Sequence, residues 1–181
     1  MNRTIVLALS YALALVQLAV PAGMILRREA ALNRGQEFKI RTQPVDPYDA
    51  FRGRFVRLGF DNATVPLPAG AKLANGQKAY AILETDAAGF AVVNSVAFTK
   101  PDTEAYLKVR LRYSEPGKAQ IIWPFDRYYM EETAAPQAEQ AYRQRGRSAN
   151  AYIAVRVSGG TGVITGLYID GKPIEQIIQE P

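Results

Sequence analysis

The sequence predicts a mainly β domain, an antiparallel and partly closed or barrel-like sheet with one covering α-helix, preceded by an N-terminal transmembrane helix. Three observations predict this architecture. The chain opens with a long uncharged apolar stretch, apolar and polar residues alternate in short runs through most of the remainder, and one later segment carries helical start and stop signals. At 181 residues the chain has room for one domain of ordinary size.

The N-terminal leader is long enough to cross a membrane. About 23 uncharged residues, TIVLALSYALALVQLAVPAGMIL, lie between Arg3 and Arg27, and at about 1.5 Å per helical residue they span a hydrocarbon core of roughly 30 Å. A cleaved export signal is the alternative, because a candidate cleavage position before Gly23 follows the apolar stretch. The apolar run continues past that position to Leu26, which favours an uncleaved anchor.

The basic residues around the leader leave its orientation open. Arg3 flanks one end and three arginines between positions 27 and 34 flank the other, so a positive-inside count places the domain in the cytoplasm. The segment RREAALNRG can instead extend the helix as a stalk at the membrane surface, with Gly35 as a left-handed stop. We divide the chain into an anchor and stalk, 1–34, and a β-rich domain, 35–181.

Alternating runs and glycines predict about eight strands. In EFKIRT, Phe38 and Ile40 share one face and are expected in the core. KAYAILETD and GFAVVNSVAFT form a hairpin that turns at Gly89, and AYIAVRVSG and GVITGLYIDG form another around Gly159, Gly160 and Gly162. The run LKVRLRY has an expected buried face of Leu107, Val109, Leu111 and Tyr113.

A helix and a loop complete the expected elements. Thr133 is the predicted N-cap of the helix, Pro136 lies in its first turn, and Gly146 ends it. The piece from about 61 to 77 has no periodic pattern and is rich in proline and glycine, so we predict a loop there.

Composition excludes several classes of function. The chain has no cysteine and no histidine, which removes thiol nucleophiles, imidazole acid–base catalysis and zinc sites built from these residues. The net charge of +5 is spread among acids and forms no basic block, so we expect no nucleic-acid partner. No motif indicates a cofactor or a metal site.

The segment PVDPYDAFRGRF predicts a rigid corner before a buried strand. Pro47 restricts the backbone, Asp46 and Asp49 are suited to Asx turns, and Gly53 permits a bulge or close approach. Leu58 then enters the core with its apolar neighbours, while Arg57 lies on the opposite face. We interpret Asp46, Pro47, Asp49, Gly53 and Leu58 as a structural motif.

The stretch GQEFKIRTQPVDPYDAFRGRFVRLGF resembles the opening of the GDYXXLXY domain proteins. Gly53 and Leu58 match the motif that names the family, Phe55 and Phe60 replace its two tyrosines, and Arg54 replaces its acid. The segments PFDRYYMEE, at 124–132, and YIDGKPI, at 168–174, extend the resemblance over most of the chain. The family comprises membrane-anchored bacterial proteins of unassigned function, often encoded beside polytopic membrane proteins. The resemblance therefore implies the bacterial inner membrane, a domain on the periplasmic side and a membrane-protein partner.

Two classes of function remain open on these residues. The favoured hypothesis is a non-enzymatic accessory protein that docks on a partner membrane protein, since Trp, Tyr and Arg are enriched at binding hot spots. The alternative is a carboxylate-dependent hydrolase or carbohydrate-active domain that uses two converging carboxyl groups. Its candidate carboxylates are Asp46, Asp49, Asp126, Glu131 and Glu132. The candidate docking residues are Arg52, Arg54, Arg57, Trp123, Arg127, Tyr128, Tyr129 and Glu131.

Overall fold

A computed structural model describes residues 3–44, 55–60, 64–67, 73–74, 76–115, 117–146 and 150–179. The helices are α1 (Arg3–Arg34), α2 (Ala135–Arg145) and α3 (Ile174–Ile177). The strands are β1 (Gln36–Arg41), β2 (Gln43–Pro44), β3 (Phe55–Gly59), β4 (Thr64–Pro66), β5 (Gln77–Thr85), β6 (Ala91–Ala97), β7 (Tyr106–Glu115), β8 (Lys118–Ile122), β9 (Arg127–Tyr129), β10 (Ala151–Ser158), β11 (Thr161–Ile169) and β12 (Lys172–Pro173).

The strands form three antiparallel groups. One sheet has the order β1-β10-β11-β12, a second has the order β4-β8-β7-β5-β6, and β3 lies between β2 and β9 in the third. An isolated parallel bridge between Leu107 of β7 and Gly160 joins the two larger sheets. The predicted mainly β, antiparallel and partly closed fold is confirmed.

Eight of the strands have five or more residues, and four short ones add to them. The short strands are β2, β4, β9 and β12. The prediction of a loop at about 61 to 77 is wrong at Thr64–Pro66, which pairs with β8 and buries Val65. Such short segments become strands through tertiary pairing, which their own sequence does not encode.

The core lies on the inner faces of the two larger sheets. Phe38 and Ile40 of β1 are buried, as are Leu107 and Leu111 of β7, and this confirms the alternation predicted for these strands. Tyr113 is an exception, because 57% of its surface is exposed. The pairing of β7 with β5 ends at Leu111, while β8 still pairs with Tyr113, so Tyr113 lies where only one strand flanks β7.

An aromatic contact joins the β5–β6 turn to the other large sheet. Gly89 has a φ of +82° in this turn, as predicted, and the Asp86 carboxylate accepts hydrogen bonds from the backbone of Phe90 and Ala88. The Phe90 ring lies edge-on to Tyr152 of β10 at 5.5 Å. The Arg41 guanidinium stacks 3.9 Å from the Phe90 ring. The turn is therefore ordered by both local and long-range contacts.

Helix α1 is long and apolar enough to cross a membrane, and its large apolar side chains are exposed along most of its length. Its last turns contact the domain directly. Ala31 is fully buried, and the carbonyl of Leu32 accepts a hydrogen bond of 3.1 Å from Arg156 of β10.

Gly35 makes this junction possible, but it is not the predicted left-handed stop. The glycines with positive φ include Gly89 and Gly160, and Gly35 is not among them. A Cβ at Gly35 would lie 2.3 Å from the carbonyl oxygen of Ala31 and 3.0 Å from the backbone of Val157. Glycine is therefore required at this junction, because a side chain here would obstruct the close approach of α1 to β10.

Helix α2 begins after the predicted cap. Thr133 is exposed, and the N-cap position is held by Ala134 without a side-chain hydrogen bond. The main-chain carbonyl of Glu131 accepts from the backbone N–H groups of Ala134 and Ala135, so this turn supplies the partners that a Thr133 cap would provide. Pro136 lies in the first turn and the helix ends at Gly146, as predicted.

Candidate functional site

The pairing of β3 with β9 brings several predicted docking residues together. Tyr129 lies opposite Phe55, Tyr128 opposite Val56 and Arg127 opposite Arg57. Because successive side chains of a strand point to opposite faces, Tyr128 and the buried Val56 point inward. The outward set, Phe55, Arg57, Arg127 and Tyr129, is called the arginine–aromatic face below.

The arginine–aromatic face is ordered by ring contacts. The guanidinium of Arg127 lies 4.6 Å from the centroid of the Phe55 ring, and the Phe55 ring meets that of Tyr129 edge-on at 6.0 Å. Arg127 also pairs with Asp126, with 3.2 Å between Nε and Oδ2. Tyr129 remains 68% exposed. The contacts with Phe55 therefore order the side chains of Arg127 and Tyr129 at the surface before any partner binds.

Tyr128 lies on the other side of β9 and connects it to α3. Its hydroxyl donates a hydrogen bond of 2.6 Å to Oε1 of Glu175. Burial raises the pKa of Tyr128 above its ordinary value of 10.0, and the Glu175 carboxylate raises the pKa further. This half-buried tyrosine therefore connects β9 to α3 on the side opposite the arginine–aromatic face.

The remaining predicted docking residues lie elsewhere. Trp123 is half-buried, and its ring is 5.5 Å from that of Phe60 and 6.2 Å from that of Phe125. Glu131 is exposed in the turn before α2. Arg52 and Arg54 lie outside the described residues.

The predicted corner motif lies mostly outside the described residues as well, at Asp46, Pro47, Asp49 and Gly53. Leu58 is buried and Arg57 is exposed, as predicted for the strand that follows the corner.

The candidate carboxylates among the described residues lie on the surface on either side of β9. Asp126 directly precedes β9 and Glu131 follows it after Met130, so four residues separate them, three of which form the strand. Both side chains are exposed, as is Glu132. Carboxyl groups at opposite ends of an extended strand are about 15 Å apart, well beyond the separation that paired acid–base catalysis uses. Asp46 and Asp49, the other candidates, lie outside the described residues.

A groove of about 540 Å³ lies on the outer face of the β5-β7-β8 sheet. The cationic side chains that line it are Lys78, Lys108 and Arg110. Aromatic side chains that line it are Tyr80, Phe98 and Trp123. We call this the basic groove. The alternation predicted for β7 puts Lys108 and Arg110 on the face opposite its buried residues, but the sequence did not show that β5 is its neighbour.

Comparison with known proteins identifies the family. The chain matches no curated protein and no solved structure. A family model described as GDYXXLXY protein matches residues 17–167, a span that includes the end of α1, the arginine–aromatic face and the basic groove. This match confirms the resemblance noted from the sequence, and the chain belongs to the GDYXXLXY family.

Proposed function

We propose that this protein is a non-enzymatic, single-pass accessory protein of the bacterial inner membrane, whose β-domain on the periplasmic side docks on a partner membrane protein. The exposed Tyr129 beside the stacked Arg127–Phe55 pair carries the proposal. Large aromatic side chains and arginines that are exposed yet already ordered are characteristic of binding hot spots, because little side-chain entropy is lost on binding.

The charge of the arginine–aromatic face supports a partner with an acidic surface. The guanidinium of Arg57 forms no ion pair or hydrogen bond with any described residue, although the side chain is exposed beside Arg127. A partner carboxylate can pair with Arg57 while its apolar neighbours cover Tyr129. The proposed partner is therefore a membrane protein that presents acidic and apolar residues in a loop near the membrane surface.

Helix α1 supports a partner located in the same membrane. The helix is apolar enough to span the bilayer, and its last turns are packed against β10. A domain held this close to the bilayer reaches membrane proteins more readily than soluble ones, since the anchor raises its effective concentration at the membrane.

Photo-crosslinking tests the proposal. A photoreactive phenylalanine analogue replaces Tyr129 in one full-length variant and Tyr113 in a control, because Tyr113 is also an exposed tyrosine, at 57%, but lies in β7. We expect position 129 to yield one dominant adduct, identified by mass spectrometry as an integral membrane protein. The adduct should be lost when Arg57→Glu is added. Equal products from both positions, or uncrosslinked monomer alone, would refute docking through this face.

A further inference from the structure

We infer that the basic groove is a binding site for a phosphate-bearing amphiphile, with the phosphate held by Lys78, Lys108 and Arg110 and an apolar chain packed against the aromatic side chains that line the groove. The groove is separate from the arginine–aromatic face. Its volume of about 540 Å³ falls in the range of small-molecule sites, roughly 300 to 1,000 Å³.

The arrangement of the cations is the first argument. Lys78 of β5 lies directly opposite Arg110 of β7, and Lys108 is the next residue on the same face of β7. Like charges placed directly opposite on neighbouring strands destabilise a sheet. The destabilisation disappears when an anion lies between the two charges, because each cation then gains an attractive partner.

The absence of a protein counter-charge is the second argument. Among the described residues, none of these three cations forms an ion pair, and no acidic side chain lines the groove. Acids of the same sheet have other partners: Glu84 accepts a hydrogen bond from Asn94, and Glu115 pairs with Lys118. Three unpaired positive charges match a phosphate better than a single carboxylate, and arginine favours planar, bidentate contact with phosphate oxygens.

The aromatic side chains that line the groove favour a ligand with an apolar part. Tyr80 lies opposite Lys108, and Phe98 and Trp123 line the same groove. A free phosphate would leave this surface in contact with water, whereas an alkyl or acyl chain would cover it. Both a membrane phospholipid and a soluble phosphate ester with an apolar body carry this chemistry.

The position of the groove also fits a lipid source. The backbone of Lys108 donates a hydrogen bond of 3.1 Å to Gly160 in the β10–β11 turn. Val157, at the same end of β10, contacts Gly35 where α1 enters the domain. The Lys108 end of the groove therefore lies at the end of the domain that joins the membrane helix.

Fluorescence of Trp123 reports binding directly, because it is the one tryptophan of the chain and lines the groove. The full-length protein in a maltoside detergent is titrated separately with dodecyl phosphate, phosphatidylglycerol and inorganic phosphate. We expect a saturable blue shift and a higher melting temperature with at least one amphiphile. Tighter binding of phosphatidylglycerol supports a lipid source, and tighter binding of dodecyl phosphate supports a soluble ester.

Variants separate a binding site from a structural patch. The double variant Lys78→Gln/Arg110→Gln should bind the amphiphile at least tenfold more weakly and melt no lower than wild type without ligand. Arg57→Gln, in the arginine–aromatic face, should bind it normally, which keeps this test independent of docking. Equal affinity for inorganic phosphate, no saturable change with either amphiphile, or undiminished binding by the double variant would overturn the inference.

Discussion

Tyr142→Phe should make the protein more resistant to alkali. Tyr142 of α2 is 1% exposed, and its hydroxyl lies near that of Thr42, yet neither hydroxyl has a hydrogen-bond partner among the described residues. Burial raises the pKa of Tyr142 from 10.0 to about 12. The folded state therefore favours the protonated phenol.

The sign and size of the effect follow from this pKa. Below pH 10 the phenol is protonated in both states and contributes no pH dependence. Between pH 10 and about 12 the unfolded chain ionises first, so the free energy of unfolding falls as pH rises. The loss is about 1.4 kcal/mol at pH 11 and approaches about 2.7 kcal/mol above pH 12. Phenylalanine cannot ionise and removes this loss.

Urea unfolding of the full-length protein in detergent at pH 8, 9, 10 and 11 measures the effect. At pH 8 the variant should be as stable as wild type or up to about 1 kcal/mol more stable, because the lost hydroxyl is a buried donor without a partner. Its advantage should grow by about 1.4 kcal/mol between pH 8 and pH 11. Tyr113→Phe controls for loss of an exposed hydroxyl. A constant difference between Tyr142→Phe and wild type across these pH values would refute the reasoning.

Two further predictions concern the anchor. Gly35→Ala should destabilise the domain by about 1 to 3 kcal/mol, since the added Cβ meets backbone atoms of both α1 and β10. Gly23→Ala is the matched control, because a Cβ there meets no atom within 4 Å, and equal melting temperatures for the two variants would contradict the prediction. Ala87→Cys, exposed in the β5–β6 turn of a chain without native cysteine, should react with a membrane-impermeant maleimide in intact spheroplasts. Asn2→Cys should react only after lysis, and the reverse pattern would place the domain in the cytoplasm.

Local patterns predicted much of the sheet structure. Alternation in β1 identified Phe38 and Ile40 as core residues, because a strand that is buried on one face must repeat every two residues. Glycine marked the β5–β6 and β10–β11 turns, where Gly89 and Gly160 have positive φ. These features depend only on neighbouring residues, so a single sequence contains them.

Long-range pairing determined what local patterns could not. Tyr128 and Tyr129 are adjacent and chemically identical in sequence, but the register of β9 against β3 sends one inward to Glu175 and leaves the other at the surface. The basic groove likewise requires that β5 pair with β7, which places Lys78 opposite Arg110. Neither register follows from composition or periodicity, since a shift by one residue would exchange the two faces.

The direct entry of α1 into β1 has a consequence for how the domain would search for the proposed partner. The residues from Arg27 to Arg34 continue the helix for about 12 Å beyond the apolar stretch, and Gly35 leaves no flexible linker before the first strand. A flexible tether would let the domain sample a hemisphere above its anchor. If α1 spans the bilayer as proposed, this connection fixes the height of the arginine–aromatic face above the membrane and leaves lateral diffusion and rotation about the bilayer normal as the main degrees of freedom. On the proposed docking function, recognition would be a two-dimensional search that favours a partner whose acidic loop lies at the matching height.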